Sequence, residues 1–196
     1  MNLATEPAAP APRRRQFGDD RALGMALFVF TEIMFFSGFI SAFVIVRSGA
    51  ALGEWPPAGQ PRLPFERTAV NTLALLLSGV ALFIAGRAFR SRGARAAAPW
   101  MGAALALGAA FVGLQGVEWT GLLSRGMTLT SSQLGSFFYV IVGTHALHAV
   151  AAILALAFAW RASLAGTLSQ GRLAAVSMFW YFVVLVWPVI YWQVYR

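Results

Sequence analysis

Five long apolar runs, at about 22–46, 68–88, 98–122, 135–160 and 174–195, constrain this chain more than any other feature. Each holds roughly the 20 residues that an α-helix needs to cross about 30 Å of hydrocarbon. The alternating decamers of a barrel strand do not occur. Apolar residues make up 59% of the 196 and charged residues 11%, whereas a soluble domain carries about 45–50% and about 25%. So short a chain has too much surface to hide that excess in a soluble core. The sequence therefore predicts an all-α polytopic membrane protein, a bundle of five transmembrane helices over 22–196. The Ala-, Pro- and Arg-rich stretch 1–21 reads as a flexible cytoplasmic tail. Its Arg14-Arg15-Gln16-Phe17 is a faint match to a twin-arginine signal. The apolar run that follows is too long for a signal core, carries Glu32 and ends in no A-x-A exit.

Basic residues set the orientation. All 15 are arginine. With the N-terminus inside, the inner segments hold Arg13, Arg14, Arg15, Arg21, Arg87, Arg90, Arg92, Arg95, Arg161 and Arg172. The outer ones hold Arg47, Arg62, Arg67, Arg125 and Arg196. The positive-inside rule then predicts an N-terminus inside and a C-terminus outside. A sequence pI near 11.4 does not point to nucleic acid, because the arginines fall between apolar runs and form no basic stripe. Cysteine is absent, which excludes disulfides, thiolate metal sites and thiol catalysis. The outer loop near 48–66 carries Trp55-Pro56-Pro57, Pro61 and Pro64. Its prolines restrict the backbone and predict an ordered cap. Small residues at helical spacing, Ser37, Gly38, Ser41 and Ala42 in the first run and Gly102, Ala106, Ala109 and Gly113 in the third, predict close helix packing.

Four ionisable groups fall at membrane depth: Glu32, Glu118, His145 and His148. Each costs about 2.5–3.5 kcal/mol on insertion scales and needs an explanation. Glu32 reads equally as a proton-accepting or headgroup-facing carboxyl and as an interior acid bonded to a neighbouring helix. Gln115 and Glu118 share a helical face, as do His145 and His148. A Glu118–His145 or Gln115–His148 bridge is within reach, as a structural network first and a proton relay second. Metal binding is disfavoured. Two histidines on one helix cannot clamp a haem from both sides, and the chain has no third. A di-iron site would need Glu-x-x-His pairs, which do not occur. Trp55, Trp100, Trp119, Trp160, Trp192 and Tyr195 near the helix ends read as an interfacial belt.

Longer strings are more specific. ALFVFTEIMFFSGFISAFVI (26–45), WPPAG (55–59), NTLALLLSG (71–79), LQGVEW (114–119), GSFFYVIVGTHALHAV (135–150) and FWYFVVLVWPVIYWQVY (179–195) follow in this order. Together they resemble the motifs of subunit III of the haem–copper terminal oxidases, the cytochrome c oxidase subunit 3 family, in its five-helix form. The resemblance implies a non-catalytic subunit that holds no redox centre. Haem and copper are expected in a partner, catalytic subunit I, with subunit II a further candidate neighbour. It also implies bound phospholipid, support for proton uptake during aerobic electron transport, and a multi-pass place in a bacterial-type inner membrane. No nucleic acid and no small-molecule substrate of its own are expected. Glu32, Glu118, His145 and His148 match the family's proton- and lipid-associated positions. Trp55, Pro56, Pro57, Asn71, Gln115, Trp180 and Trp187 match its structural motif. The last helix departs: where the family often has W-H-F-V-D, this chain has Trp180-Tyr181-Phe182-Val183-Val184, with Pro188 after Trp187 predicting a kink. That departure admits an alternative, an accessory subunit of a nitric oxide reductase. An independent small proton channel or transporter is a third reading, against which stands the lack of any visible repeat.

Overall fold

The computed structural model describes residues 17–50, 55, 63 and 65–195. Five helices account for nearly all of them: α1 Phe17–Ser48, α2 Phe65–Arg92, α3 Ala94–Ser124, α4 Gln133–Leu164 and α5 Gln170–Tyr195. Among the described residues there is no strand. All five helices are long and apolar enough to span a membrane. They hold 26–32 residues, or about 39–48 Å at about 1.5 Å per residue, so they outrun a hydrocarbon core of about 30 Å. The expected start near 22 falls inside α1. Residues 1–16 of the expected tail, and Pro56, Pro57, Pro61 and Pro64 of the expected cap, lie outside the described residues.

Local chemistry sets the turns. α2 and α3 are separated by Gly93 alone, whose φ of 84° is reached cheaply without a Cβ. Its N–H closes the end of α2 on the Phe89 carbonyl at 2.9 Å. Ser132 caps α4, its hydroxyl accepting from the Gly135 N–H at 3.0 Å. α5 remains helical through Pro188 to Tyr195.

α5 is the hub of the bundle: its backbone lies close to α1, α2 and α4, and its Trp180 and Trp187 side chains reach Gly108 and Phe111 of α3; α3 in turn bridges α2 and α4. α1 stands at the edge, in contact with α4 and α5 alone among the helices. Only 11% of its most apolar span window is buried, against 33–44% for the other four. One tie fixes its far end: the Arg47 guanidinium donates to the Gln193 carbonyl at 3.2 Å. A cation thus meets the last turn of α5, where unpaired carbonyls gather.

Two close interhelical contacts set a tryptophan on a glycine. The Trp180 indole covers Gly108 so closely that a Cβ there would collide with the ring. Trp160 packs the same way on Gly102, 3.2 Å from where a Cβ would stand, and donates to the Ala98 carbonyl at 3.0 Å. The small residues expected to pack sit differently. Gly102 is at an interface, but Ala106, Ala109 and Gly113 are exposed, and so are Ser37, Gly38, Ser41 and Ala42 of α1. Small size marks a face that can pack closely but does not say on which side the partner lies. The aromatic belt also divides. Trp100 and Trp192 are exposed, while Tyr195 is buried, and Trp119 and Trp160 are half-buried and engaged with neighbouring helices.

Candidate functional site

A ladder of hydroxyls and amides runs down α2. Thr68, Asn71, Thr72 and Ser78 recur at helical spacing, all on its buried face. Asn71 donates to the Phe111 carbonyl of α3 at 3.2 Å. Thr72 accepts from the Trp187 indole at 2.9 Å, and Ser78 from the Trp180 indole at 3.2 Å. Both indoles come from α5, seven residues apart, and meet α2 in reverse order, as antiparallel helices require. Trp180 and Trp187 are each 1% exposed. In lipid an unbonded indole N–H has no water to turn to, so these bonds fix the rotation of α5 against α2.

Thr68 carries the ladder to the first acidic cluster. Its hydroxyl donates to Glu118 Oε2 at 2.8 Å, and Gln115 Nε2 donates to the same oxygen at 3.2 Å. Glu118 therefore ties α2 to α3. It does not bridge to His145. The expected Gln115–His148 bridge is not formed either, because Gln115 turns its amide N–H toward Glu118.

The second cluster joins α1 to α4. Glu32 Oε2 lies 3.1 Å from His148 Nε2, the side chains being 19% and 13% exposed. His148 Nδ1 lies 2.8 Å from the Thr144 carbonyl. A carbonyl only accepts, so Nδ1 carries a proton and Nε2 faces Glu32. A single further proton is then shared by the pair: either the acid donates to a neutral ring, or an imidazolium donates to a carboxylate. The pair has no net charge in either arrangement, which is the inexpensive way to keep two ionisable groups at this depth. Glu32 is thus bonded to a neighbouring helix. Phe28, Phe36, Phe179 and Phe182 ring the imidazole with centroids 5.6–6.4 Å away.

His145 behaves differently from His148, one turn away. It is 1% exposed, stacks on Trp187 at 5.1 Å and meets the Phe36 edge at 6.3 Å. Neither ring nitrogen has a hydrogen-bond partner among the described residues. Among the described residues no group of three His, Cys, Asp or Glu gathers to hold a metal ion. Trp55, the described member of the outer-loop motif, packs on Phe43 at 5.7 Å. Thr68, Thr72, Ser78 and Gly108 were not anticipated as part of this arrangement. The hydroxyls were visible as a helical repeat in α2, and Gly108 as one of several pairs of small residues four apart in α3, with Ala104 before it.

Comparison with known proteins agrees with these motifs. The family model described as cytochrome c oxidase subunit III matches residues 16–196. The cytochrome c oxidase subunit 3 of Synechocystis sp. is 32% identical over 181 residues, covering 90% of this chain and 76% of the relative. That of Thermostichus vulcanus is 29% identical over 177 residues, covering 88% and 85%. In Arabidopsis thaliana a protein of the same name is 31% identical over 179 residues, covering 88% of this chain and 66% of its own length. Match and motifs extend over all five helices, and the chain belongs to the cytochrome c oxidase subunit III family.

Proposed function

We propose that this chain is the non-catalytic subunit III of a haem–copper respiratory oxidase, seated in a bacterial-type cell membrane with its N-terminus inside and its C-terminus outside. One observation beside the family match carries the reading: α1 is a membrane helix that its own bundle leaves almost bare. Its small residues Ser37, Gly38, Ser41 and Ala42 are exposed, which suits close approach of a helix from catalytic subunit I. Beside it, α1 and α5 border an apolar groove of about 610 Å³ lined by Ala26, Phe30, Ile33, Tyr181, Leu185 and Val189. An acyl chain of a structural phospholipid suits that groove in shape and polarity. Haem, copper and the oxygen chemistry belong to the partner. In this reading the Glu32–His148 pair and the Glu118 cluster hold helices in register beside the partner's proton entry and do not themselves conduct. The stretch 1–21 is the tail on the inner side.

The experiment is a mild-detergent pull-down of this chain from its native membrane, with an optical spectrum and peptide identification of what accompanies it. A complex with haem and copper and a catalytic subunit I is the expected result. A haem complex without copper that reduces nitric oxide selects the nitric oxide reductase alternative, which the Val184 position favours: that residue is buried against Gly79 as an apolar contact, where the oxidase pattern often has an acid. A colourless protein that purifies alone and carries proton flux in liposomes selects the channel.

A further inference from the structure

A pocket of about 290 Å³ lies between the last turns of α2 and the first turns of α5. This end of the bundle also carries Arg87, Arg92, Arg95, Arg161 and Arg172. α2 lines the pocket with Phe83, Gly86 and Arg90, and α5 with Gln170, Ser177 and Tyr181. Gln170, Ala174, Ser177 and Tyr181 follow at spacings of four, three and four, so they share one face of α5. The gap exists because small residues, Gly86 and Ala174, stand on its two walls. The exposed Arg90 turns its guanidinium back over Gly86, with Nη1 3.7 Å from where a Cβ there would stand. The guanidinium is also within electrostatic reach of Tyr181. Among the described residues, the side chains of Arg90, Gln170, Ser177 and Tyr181 make no hydrogen bond or ion pair. We propose that this pocket binds the phosphate headgroup of an anionic phospholipid.

The chemistry of the four side chains selects the occupant. All can donate: the guanidinium and the amide through N–H, the two hydroxyls through O–H. The guanidinium adds a permanent positive charge, and among the described residues no Asp or Glu lines the pocket. The fitting ligand is therefore an anion with several acceptor oxygens, and the planar arginine fork matches phosphate at two points. A metal cation is repelled. The ammonium of a zwitterionic headgroup finds no carboxylate, which favours an anionic lipid. The apolar surroundings decide between a lipid and a free phosphate. Leu76, Phe83 and Arg90, seven residues apart, share a face of α2, and Leu76 and Phe83 are 38% and 54% exposed. An acyl chain can run along Leu76 and Phe83 toward the middle of the bilayer while its phosphate stays at Arg90. Arg90 lies near the end of α2 at Arg92, where long basic side chains reach the headgroup layer. The volume is close to the lower bound of about 300 Å³ for ligand pockets, room for a headgroup with its tails outside. Tyr181, where the last helix departs from the family motif, thereby becomes a donor to this site. The inference needs only that the chain sits in a membrane and does not rest on the oxidase reading.

The test places the full chain in nanodiscs of mixed phosphatidylcholine and phosphatidylglycerol, then reads by native mass spectrometry which lipid survives mild-detergent extraction. Phosphatidylglycerol should be retained several-fold over phosphatidylcholine, and Arg90→Gln should reduce that retention several-fold. Arg90→Lys keeps the charge without the fork and should reduce it less. Arg172→Gln, at the same end but outside the pocket, should leave it unchanged. Equal losses in the two glutamine variants mean that only a basic surface is at work and overturn the site, as does equal retention of the two lipids. Arg90 is exposed, so Arg90→Gln should match the parent's Tm in pure phosphatidylcholine nanodiscs. If it does not fold, Tyr181→Phe combined with Ser177→Ala removes two donors and should still lower retention several-fold. Inorganic phosphate, added to the chain in phosphatidylcholine nanodiscs, separates the two sources. An Arg90-dependent rise in Tm as large as that given by phosphatidylglycerol assigns the pocket to a soluble phosphate and overturns the lipid; no rise supports it. If Arg90→Gln keeps its phosphatidylglycerol but loses a protein that co-purifies with the parent, Arg90 meets a partner's carboxylate and the proposal falls.

Discussion

Glu32 and His148 form a pair in which each partner's cost depends on the other. Glu32→Gln keeps a donor for His148 Nε2, so the neutral bond survives and the bundle still folds. In the complex, assembly should be intact, with only a mild change in stability during turnover or in proton uptake; complete loss of assembly would contradict a peripheral role for Glu32. Glu32→Leu leaves the imidazole's Nε2 unbonded at membrane depth. Its expected cost is about 1–3 kcal/mol, read as a lower midpoint in thermal or denaturant unfolding in nanodiscs. The double variant with His148→Leu should recover a large part of that loss, because both polar groups then leave together. Additive losses in that cycle would mean that the 3.1 Å contact contributes little. The identities of these residues were legible in the sequence, since four ionisable groups in apolar runs single themselves out. Their pairing was not. Spacing placed His145 and His148 on one face of a helix, but which acid they met depended on the rotation of α4 against α1, and those two helices are far apart in sequence.

At the scale of the helix, tryptophan over glycine decides how α3 and α5 approach. Gly108→Ala puts a methyl group into the Trp180 indole. Overpacking of this kind costs about 1–3 kcal/mol. Trp180→Phe withdraws the outer ring atoms and also loses the bond to Ser78, for a cost of about 1 kcal/mol or more. In the Trp180→Phe background, Gly108→Ala should be nearly neutral. Measured melting temperatures of the four proteins check this, and additivity would place the collision elsewhere. Five helices and their approximate spans could be read from the apolar runs, because length and hydropathy decide insertion. Which glycine is structural could not. Gly108 follows Ala104 by four residues, but Ala106 likewise follows Gly102 and Gly113 follows Ala109, and only the bulk of Trp180 on another helix makes Gly108 necessary. The stripe at Ser37, Gly38, Ser41 and Ala42 was recognised for its size and assigned to the bundle's own packing, whereas it faces outward.

For the whole molecule, the bare face of α1 separates folding from assembly. A Cβ at Gly38 would meet nothing within 4 Å. Gly38→Trp should therefore leave the melting temperature of the isolated chain within about 0.5 kcal/mol equivalent of the parent, yet reduce the haem recovered with it in a pull-down several-fold. Equal loss of stability and of recovered haem would place that face inside the chain's own fold. Unchanged recovery would place the partner on another side.

The position of α1 also orders events in time. Of these five helices it is made before the others, but its helix neighbours are α4 and α5. The α2–α3 hairpin, closed by a one-residue turn, can form as soon as both strokes across the bilayer are complete. α1 must wait in the membrane while about a hundred residues are added before His148 exists, roughly 5–20 s at synthesis rates of about 5–20 residues per second. Glu32 thus enters the bilayer well before the imidazole that receives it, and the chain is most exposed to misassembly during that interval.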